Sequence, residues 1–203
     1  MSRLFFDTPF STIETQIWTS IQDSLKVADY KLLNVEELVP NLISQHPILI
    51  PNLGDDKTIK ASINLEDLKG KVYEPNPNAF YGDNQVTSVA TFQIPFTGNK
   101  DFFYVIPTDR VEVGQPATVN NNFLEVKIRT DYVRLELPEK WQSFVKNTIV
   151  EVKKNIESNL KSLENDSINL AQKLDHNSRE YLKEKQTERT AREIRDEQIN
   201  PFR

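Results

Sequence analysis

Hydrophobic positions follow a helical period at both ends of the chain and alternate in the middle. After the apolar tripeptide Leu4-Phe5-Phe6, Ser11-Thr12-Ile13-Glu14 matches a capping box, in which a hydroxyl and a carboxylate satisfy free amides at a helix start. Ile13, Ile17, Ile21 and Leu25 then form one stripe at helical spacing. Asn34-Val35-Glu36-Glu37 opens a second, short helix through Leu38, Leu42 and Ile43, made irregular by Pro40 and ended by His46-Pro47. Between Pro51 and Pro138 the period drops to two. Strands are predicted over Thr58–Leu65, Val86–Phe96, Phe102–Ile106, Phe123–Ile128 and Tyr132–Leu137, with Glu74–Asn78 a loop by composition. The connections are short, which favours antiparallel pairing. All five glycines (Gly54, Gly70, Gly82, Gly98 and Gly114) fall where this pattern needs a turn.

Pro138 suits the first position of a helix. Trp141, Val145, Ile149, Val152, Ile156, Leu160 and Leu163 follow with a mean step of about 3.67, an eleven-residue repeat that suits a nearly straight or slightly right-handed coiled-coil pairing. Apolar positions thin out after Leu174. Asn177-Ser178-Arg179-Glu180 matches a third capping box, which predicts a break near Asp175 and a second helix over 178–198, stopped by Pro201. The fold class is therefore α+β: a mostly antiparallel sheet flanked by N-terminal helices over residues 1–137, then a helical arm or hairpin over 138–203.

Composition sharpens this division. Hydrophobic residues are 37% of the chain, but only 19 of the 66 residues from Pro138 onward, so the arm carries most of the apolar deficit. The absence of cysteine excludes disulfides, thiol catalysis and cysteine-ligated metals. Two histidines, His46 and His176, are too few for a multi-histidine metal centre, and no cofactor is expected. No run approaches the length of a membrane span and no signal sequence opens the chain, so a cytoplasmic protein is expected. An isoelectric point near 5.2 disfavours nucleic-acid binding through overall charge.

One pattern suggests catalysis. Pro107-Thr108-Asp109, with Glu125-Val126-Lys127 sixteen residues later, resembles the PD-(D/E)xK nuclease signature. In that family an aspartate and a glutamate hold magnesium while a lysine orients or activates water, so Asp109, Glu125 and Lys127 would be the catalytic set. The same residues alternate with Leu124, Val126 and Ile128 as on any half-exposed strand. A further strand also follows where the family places a helix. The carboxylate pairs Glu36-Glu37, Asp55-Asp56 and Glu66-Asp67 lie at a helix start or in turns, where acids are ordinary. Arg189, Arg192 and Arg195 recur at helical spacing and could touch phosphates, but interleaved Glu188, Glu193 and Asp196 favour a solvated or protein-contacting face.

The segment Gln93-Ile94-Pro95-Phe96-Thr97-Gly98-Asn99 through Tyr104-Val105-Ile106-Pro107 resembles an uncharacterised prokaryotic module. There a strand ends in Pro-Phe-x-Gly-acid and an aromatic strand ends at proline. The likeness extends to Leu38–Leu42 leading into Pro51–Leu53, and to the ending Pro201-Phe202-Arg203. Asn99 departs from the module's acid. The module often precedes TIR-type or restriction-endonuclease-like effector domains in antiviral defence proteins, and it brings no catalytic residues to carry over. The chain stops where those relatives continue, so the resemblance implies a subunit that recruits or restrains a separately encoded effector. The leading expectation is a non-enzymatic assembly or sensing subunit, acting on a protein partner or as a homo-oligomer. The Trp141–Leu163 stripe and Arg189, Arg192 and Arg195 are its expected interface. The alternatives are the magnesium-dependent nuclease and a phage structural protein.

Overall fold

A computed structural model describes residues 3–26, 34–73 and 86–199. The Glu74–Asn78 loop, Gly82 and the Pro201-Phe202-Arg203 ending lie outside the described residues. The fold is α+β, with an antiparallel half-barrel sheet and a long C-terminal helix. The elements are β1 (Thr8–Pro9), α1 (Phe10–Lys26), α2 (Val35–Ser44), β2 (Asn52–Leu53), β3 (Lys60–Glu66), β4 (Val72–Tyr73), β5 (Thr87–Thr97), β6 (Val105–Ile106), β7 (Ala117–Val119), β8 (Phe123–Arg129) and α3 (Glu139–Ile199). The chain forms two compact units that alternate along the sequence: Met1–Pro9 with Leu49–Leu163, and Phe10–Ile48 with Glu164–Arg203.

The first unit holds the sheet, in the order β4-β3-β5-β8-β7, with β2 pairing the far end of β5. Every pair in it is antiparallel. β5 is the spine, in register with β3 from Lys60↔Gln93 to Glu66↔Thr87 and with β8 from Val89↔Arg129 to Pro95↔Phe123. Alternation dictates the two faces. Leu65, Ala90, Ile94, Leu124, Val126 and Ile128 form the buried apolar one. Gly98 sits in the turn after β5 with φ of 95°, and a Cβ there would meet the Ile50 carbonyl oxygen at 2.7 Å, so both conformation and space require glycine.

Two predicted strands are replaced. Phe102–Ile106 is a 3-10 turn over Lys100–Tyr104 followed by the two-residue β6, which pairs in parallel with β1. Asn99 accepts the Asp101 N–H at 3.0 Å and starts the turn, and consecutive Phe102 and Phe103 are both buried, which a half-exposed strand does not allow. Tyr132–Leu137 bends past the start of β5 instead of pairing as a strand. Ser88 holds it with side chain as well as backbone: its N–H donates to the Tyr132 carbonyl and its hydroxyl to the Arg134 carbonyl, both at 2.6 Å.

The second unit contains α1, α2 and the later turns of α3. Asn34 caps α2 by accepting the Glu36 N–H at 3.2 Å. Phe10, Ile21, Leu25, Val39, Leu42, Leu170, Leu174 and Leu182 are its buried apolar residues. Lys173 pairs with Glu14 of α1, and Arg179 pairs with Glu36 of α2 at 2.7 Å. The predicted break near Asp175 does not occur. Leu170, Leu174, Ser178 and Leu182 are all buried at steps of four, which continues the stripe through the Asn-Ser match. Arg179 also holds Asp175 one turn back at 2.9 Å. Packing on one face outweighs the few tenths of a kcal/mol by which Asn and Ser disfavour a helix interior.

Candidate interaction surface

The polar face of the sheet carries a buried charge cluster. Glu66, at the end of β3, is only 1% exposed. Lys127 reaches it from β8, with Nζ at 2.9 and 3.0 Å from the two carboxylate oxygens. Arg129, two residues further along β8, places a guanidinium nitrogen 3.9 Å from the same carboxylate and donates to the Asp67 carbonyl oxygen at 2.9 Å. The pairings Glu66↔Thr87 and Val89↔Arg129 on β5 explain how these side chains meet across a strand. Thr91 lies on that face in register with Lys127, and its buried hydroxyl has no hydrogen-bond partner among the described residues.

Asp67 closes the β3–β4 turn. Its carboxylate accepts N–H groups from Lys69 and Lys71 at 2.8 and 2.9 Å and the Tyr73 hydroxyl at 3.1 Å. The Lys71 N–H, against opposing desolvation, holds this carboxyl below the usual aspartate value, with Tyr73 and Lys69 adding to it. Desolvation, then the Asp67 hydrogen bond, pushes the Tyr73 hydroxyl up.

Of the nuclease triple, Glu125 and Lys127 share the polar face of β8, while Lys127 is closed onto Glu66. Asp109 lies in the loop after β6, where its backbone N–H donates to Ser162 Oγ on α3 at 3.2 Å. Among the described residues no group of three acidic or histidine side chains is placed to hold a metal ion. Glu66 belongs to a strand and not to the expected turn. The signal for it was the run Lys60, Ser62, Asn64, Glu66, which alternates with Ala61, Ile63 and Leu65 and so belongs to the face of Lys127.

Early α3 is engaged within the chain. Val145, Val152, Ile156, Leu160 and Leu163 are buried; Trp141 and Ile149 are half-buried. Beside the stripe runs a polar row absent from the expected interface. Asn155 donates to the Glu112 carbonyl, Asn159 pairs with both main-chain groups of Val111, and Ser162 takes the Asp109 N–H. Asn in a helix interior, where it is a poor former, was the available signal. Lys153 pairs with Asp56 at 3.0 Å and with Glu157, and the Glu157 hydrogen bond is the main cause that raises its ammonium above the ordinary lysine value.

The end of α3 is different. From Lys183 to Ile199 no residue is buried, and only Lys185 and Arg189 are half-covered. Lys185 pairs with Glu188 at 2.6 Å and Arg189 with Glu193 at 3.0 Å along the helix itself. Arg192 and Arg195 are exposed on the same turns, as are Ile194 and Ile199. Among the described residues no helix is long and apolar enough to cross a membrane. No family model matches the chain, and comparison with the curated proteins and with the solved structures returns no match.

Proposed function

We propose that the chain is a non-enzymatic assembly or sensing subunit that works through protein contacts, with the last turns of α3 as its contact element. The observation that supports this is the uncovered helix over residues 183–199. Isolated helices of this length are marginal in water, and the pairs at i,i+3 and i,i+4 add only a few tenths of a kcal/mol each. Here the packed part of α3 supplies the nucleus, so the segment stays helical without contributing to a core. A charged, continuous helix end with Arg192, Ile194, Arg195 and Ile199 exposed around it suits a protein partner or a second copy of the chain. In line with the module that the sequence resembles, we place this subunit as a cytoplasmic accessory of a prokaryotic antiviral defence system, acting on a separately encoded effector.

A variant ending at Lys183 tests the reading. Light scattering and affinity capture from the native host should show a complex with the full chain that is lost in the shortened one, at an unchanged thermal midpoint. A monodisperse monomer that captures nothing, or capture indifferent to the truncation, counts against it. Neighbouring genes discriminate further: an effector or ATPase supports defence, whereas capsid or tail genes support a phage structural role.

A magnesium-dependent nuclease using Asp109, Glu125 and Lys127 is the second reading, favoured by the shared face of Glu125 and Lys127 and opposed by the closure of Lys127 on Glu66. Plasmid and single-stranded substrates that survive magnesium and manganese, or cleavage unchanged in Glu125→Ala, exclude it.

A further inference from the structure

Within the sheet unit, Arg3, Leu4, Arg110 and the loop over residues 112–116 line a cleft of about 230 Å³. Its construction begins at Phe5, whose φ of 55° lies in the left-handed region that a bulky side chain rarely adopts. The surroundings fix that conformation. The Phe5 N–H donates to the Phe103 carbonyl oxygen at 2.6 Å, and the two rings pack edge to face with centroids 6.1 Å apart. The turn that buries Phe5 completely leaves Phe6, its neighbour, 48% exposed.

Two cations converge on this outward ring. The guanidinium carbons of Arg3 and Arg110 lie 5.7 and 5.1 Å from the Phe6 centroid. The sum of those distances, 10.8 Å, is the most by which the two carbons can be separated. The ring quadrupole attracts each cation and offsets their mutual repulsion. Among the described residues neither guanidinium has a carboxylate within ion-pair distance. A guanidinium held over a ring by its charge makes no hydrogen bond to it, so its N–H donors stay available to an oxyanion. Backbone strain that persists because its surroundings over-determine it is characteristic of ligand clamps.

Charge and size narrow the ligand. Glu112 also lines the cleft, so Arg3, Arg110 and Glu112 together leave one net positive charge. A singly charged carboxylate neutralises that charge, whereas a dianionic phosphate overshoots it and is repelled by Glu112. The cleft is also smaller than the roughly 300–1,000 Å³ of most small-molecule sites, which suits a single side-chain-sized group. Exposed aromatic and arginine residues are, in addition, the types enriched at the energetic centres of protein interfaces. We infer that this cleft receives a carboxylate group of a protein partner, either an Asp or Glu side chain or a chain terminus, so that the partner presents an acidic segment here. The inference rests on the reading of the chain as a protein-contact subunit.

Titrations of the full chain, followed through the arginine Nε–Hε resonances, test it. Three probes are used: acetyl-Gly-Glu-Gly-Glu-Gly-amide (side-chain carboxylates only), acetyl-Gly-Gly-Gly (a terminal carboxylate only) and inorganic phosphate. Saturable shifts of Arg3 and Arg110 with one of the peptides are expected, about tenfold weaker in Arg110→Gln, as loss of a charged hydrogen bond implies. The responding peptide identifies the source of the carboxylate. Glu112→Gln should strengthen phosphate binding more than peptide binding. The inference is overturned if neither peptide moves these resonances, if Arg3→Gln/Arg110→Gln titrates like the parent, or if phosphate binds the parent more tightly than both peptides. Arg3 and Arg110 are exposed, and unchanged resonances away from the cleft report that the variants are folded. Peptide binding by a chain that captures no partner overturns the contact-subunit reading alone; partner capture without peptide binding overturns the cleft alone.

Discussion

Asn159 pairs with Val111 as one strand pairs with the next: its side-chain amide accepts the Val111 N–H at 2.9 Å and donates to the Val111 carbonyl at 2.7 Å. The amide also donates to the Asn155 carbonyl at 2.8 Å, and the residue is fully buried. A side chain therefore makes to this loop the two hydrogen bonds that a paired strand would make. Asn159→Leu strands two main-chain groups, and urea denaturation should show a loss of about 2 kcal/mol. Asn159→Asp keeps the acceptor and loses the donor, so it should fall no closer to the parent than halfway. A loss below about 0.5 kcal/mol for Leu, the range of ordinary surface substitutions, means that water replaces the amide without penalty.

Glu66 and Lys127 should behave as a unit. Removing the lysine leaves a carboxylate buried beside Arg129 alone, which at 3.9 Å is a distant substitute. Breaking a buried pair costs about 3–5 kcal/mol; because Lys127 retains some exposure, Lys127→Met should fall at or below about 3 kcal/mol. Glu66→Gln/Lys127→Met should recover at least half of that, since no buried carboxylate is then left uncompensated and the part-exposed Arg129 keeps its bond to the Asp67 carbonyl oxygen. A double variant as unstable as the sum of the two single ones sinks this account.

The Asp67 turn predicts a pH dependence with a definite sign. Its folded-state carboxyl titrates below the ordinary value, so its contribution is fully present above pH about 4 and is lost as pH falls through the lower folded-state value. Stability measured between pH 2 and 6 should decline at the acidic end, and the decline should shrink in Asp67→Asn. An identical profile in the variant would assign the acid sensitivity elsewhere.

Among the described residues, two buried hydroxyls lack partners, Thr91 Oγ1 on β5 and Ser178 Oγ on α3. An unpaired polar atom costs about 1–3 kcal/mol of desolvation, so Thr91→Val and Ser178→Ala should each stabilise the chain, by about 1 kcal/mol at most after packing adjustment. Thermal melts decide it. A lowered midpoint in either variant means that the hydroxyl is hydrogen-bonded in solution.

The elements most legible in the sequence were those whose period and caps agree. β5 and β8 follow the alternation of Ala90, Ile94, Leu124, Val126 and Ile128, and α2 begins where Asn34 predicts. Misreadings arose where a local signal met a tertiary one. The aromatic run Phe102-Phe103-Tyr104 has strand propensity, but Asn99 and the need to bury two consecutive rings turn it into a 3-10 segment. The Asn177–Glu180 match is a valid helix start, yet Leu174 and Leu182 require the helix to continue through it. Glu66 was hidden for a different reason. Its partner stands sixty-one residues away, and neighbouring Asp67 made both acids look like turn residues. The pairing of Arg3 and Arg110 on Phe6 was equally out of reach, since it depends on the left-handed Phe5 that no propensity predicts.

The alternation of the two units along the chain sets an order of events during synthesis. α1 and α2 leave the ribosome early, with Ile21, Leu25, Val39 and Leu42 in search of cover. The residues that complete their unit begin at Glu164, about 120 residues after α2 ends; at roughly 5–20 residues per second that is a delay of some 6–24 s. During that interval the two helices have an unfinished apolar face, while the whole of the sheet emerges between them and their missing third member. Nascent chains halted before Glu164 should therefore be the form most dependent on chaperones, and the helical unit cannot be excised as one continuous fragment.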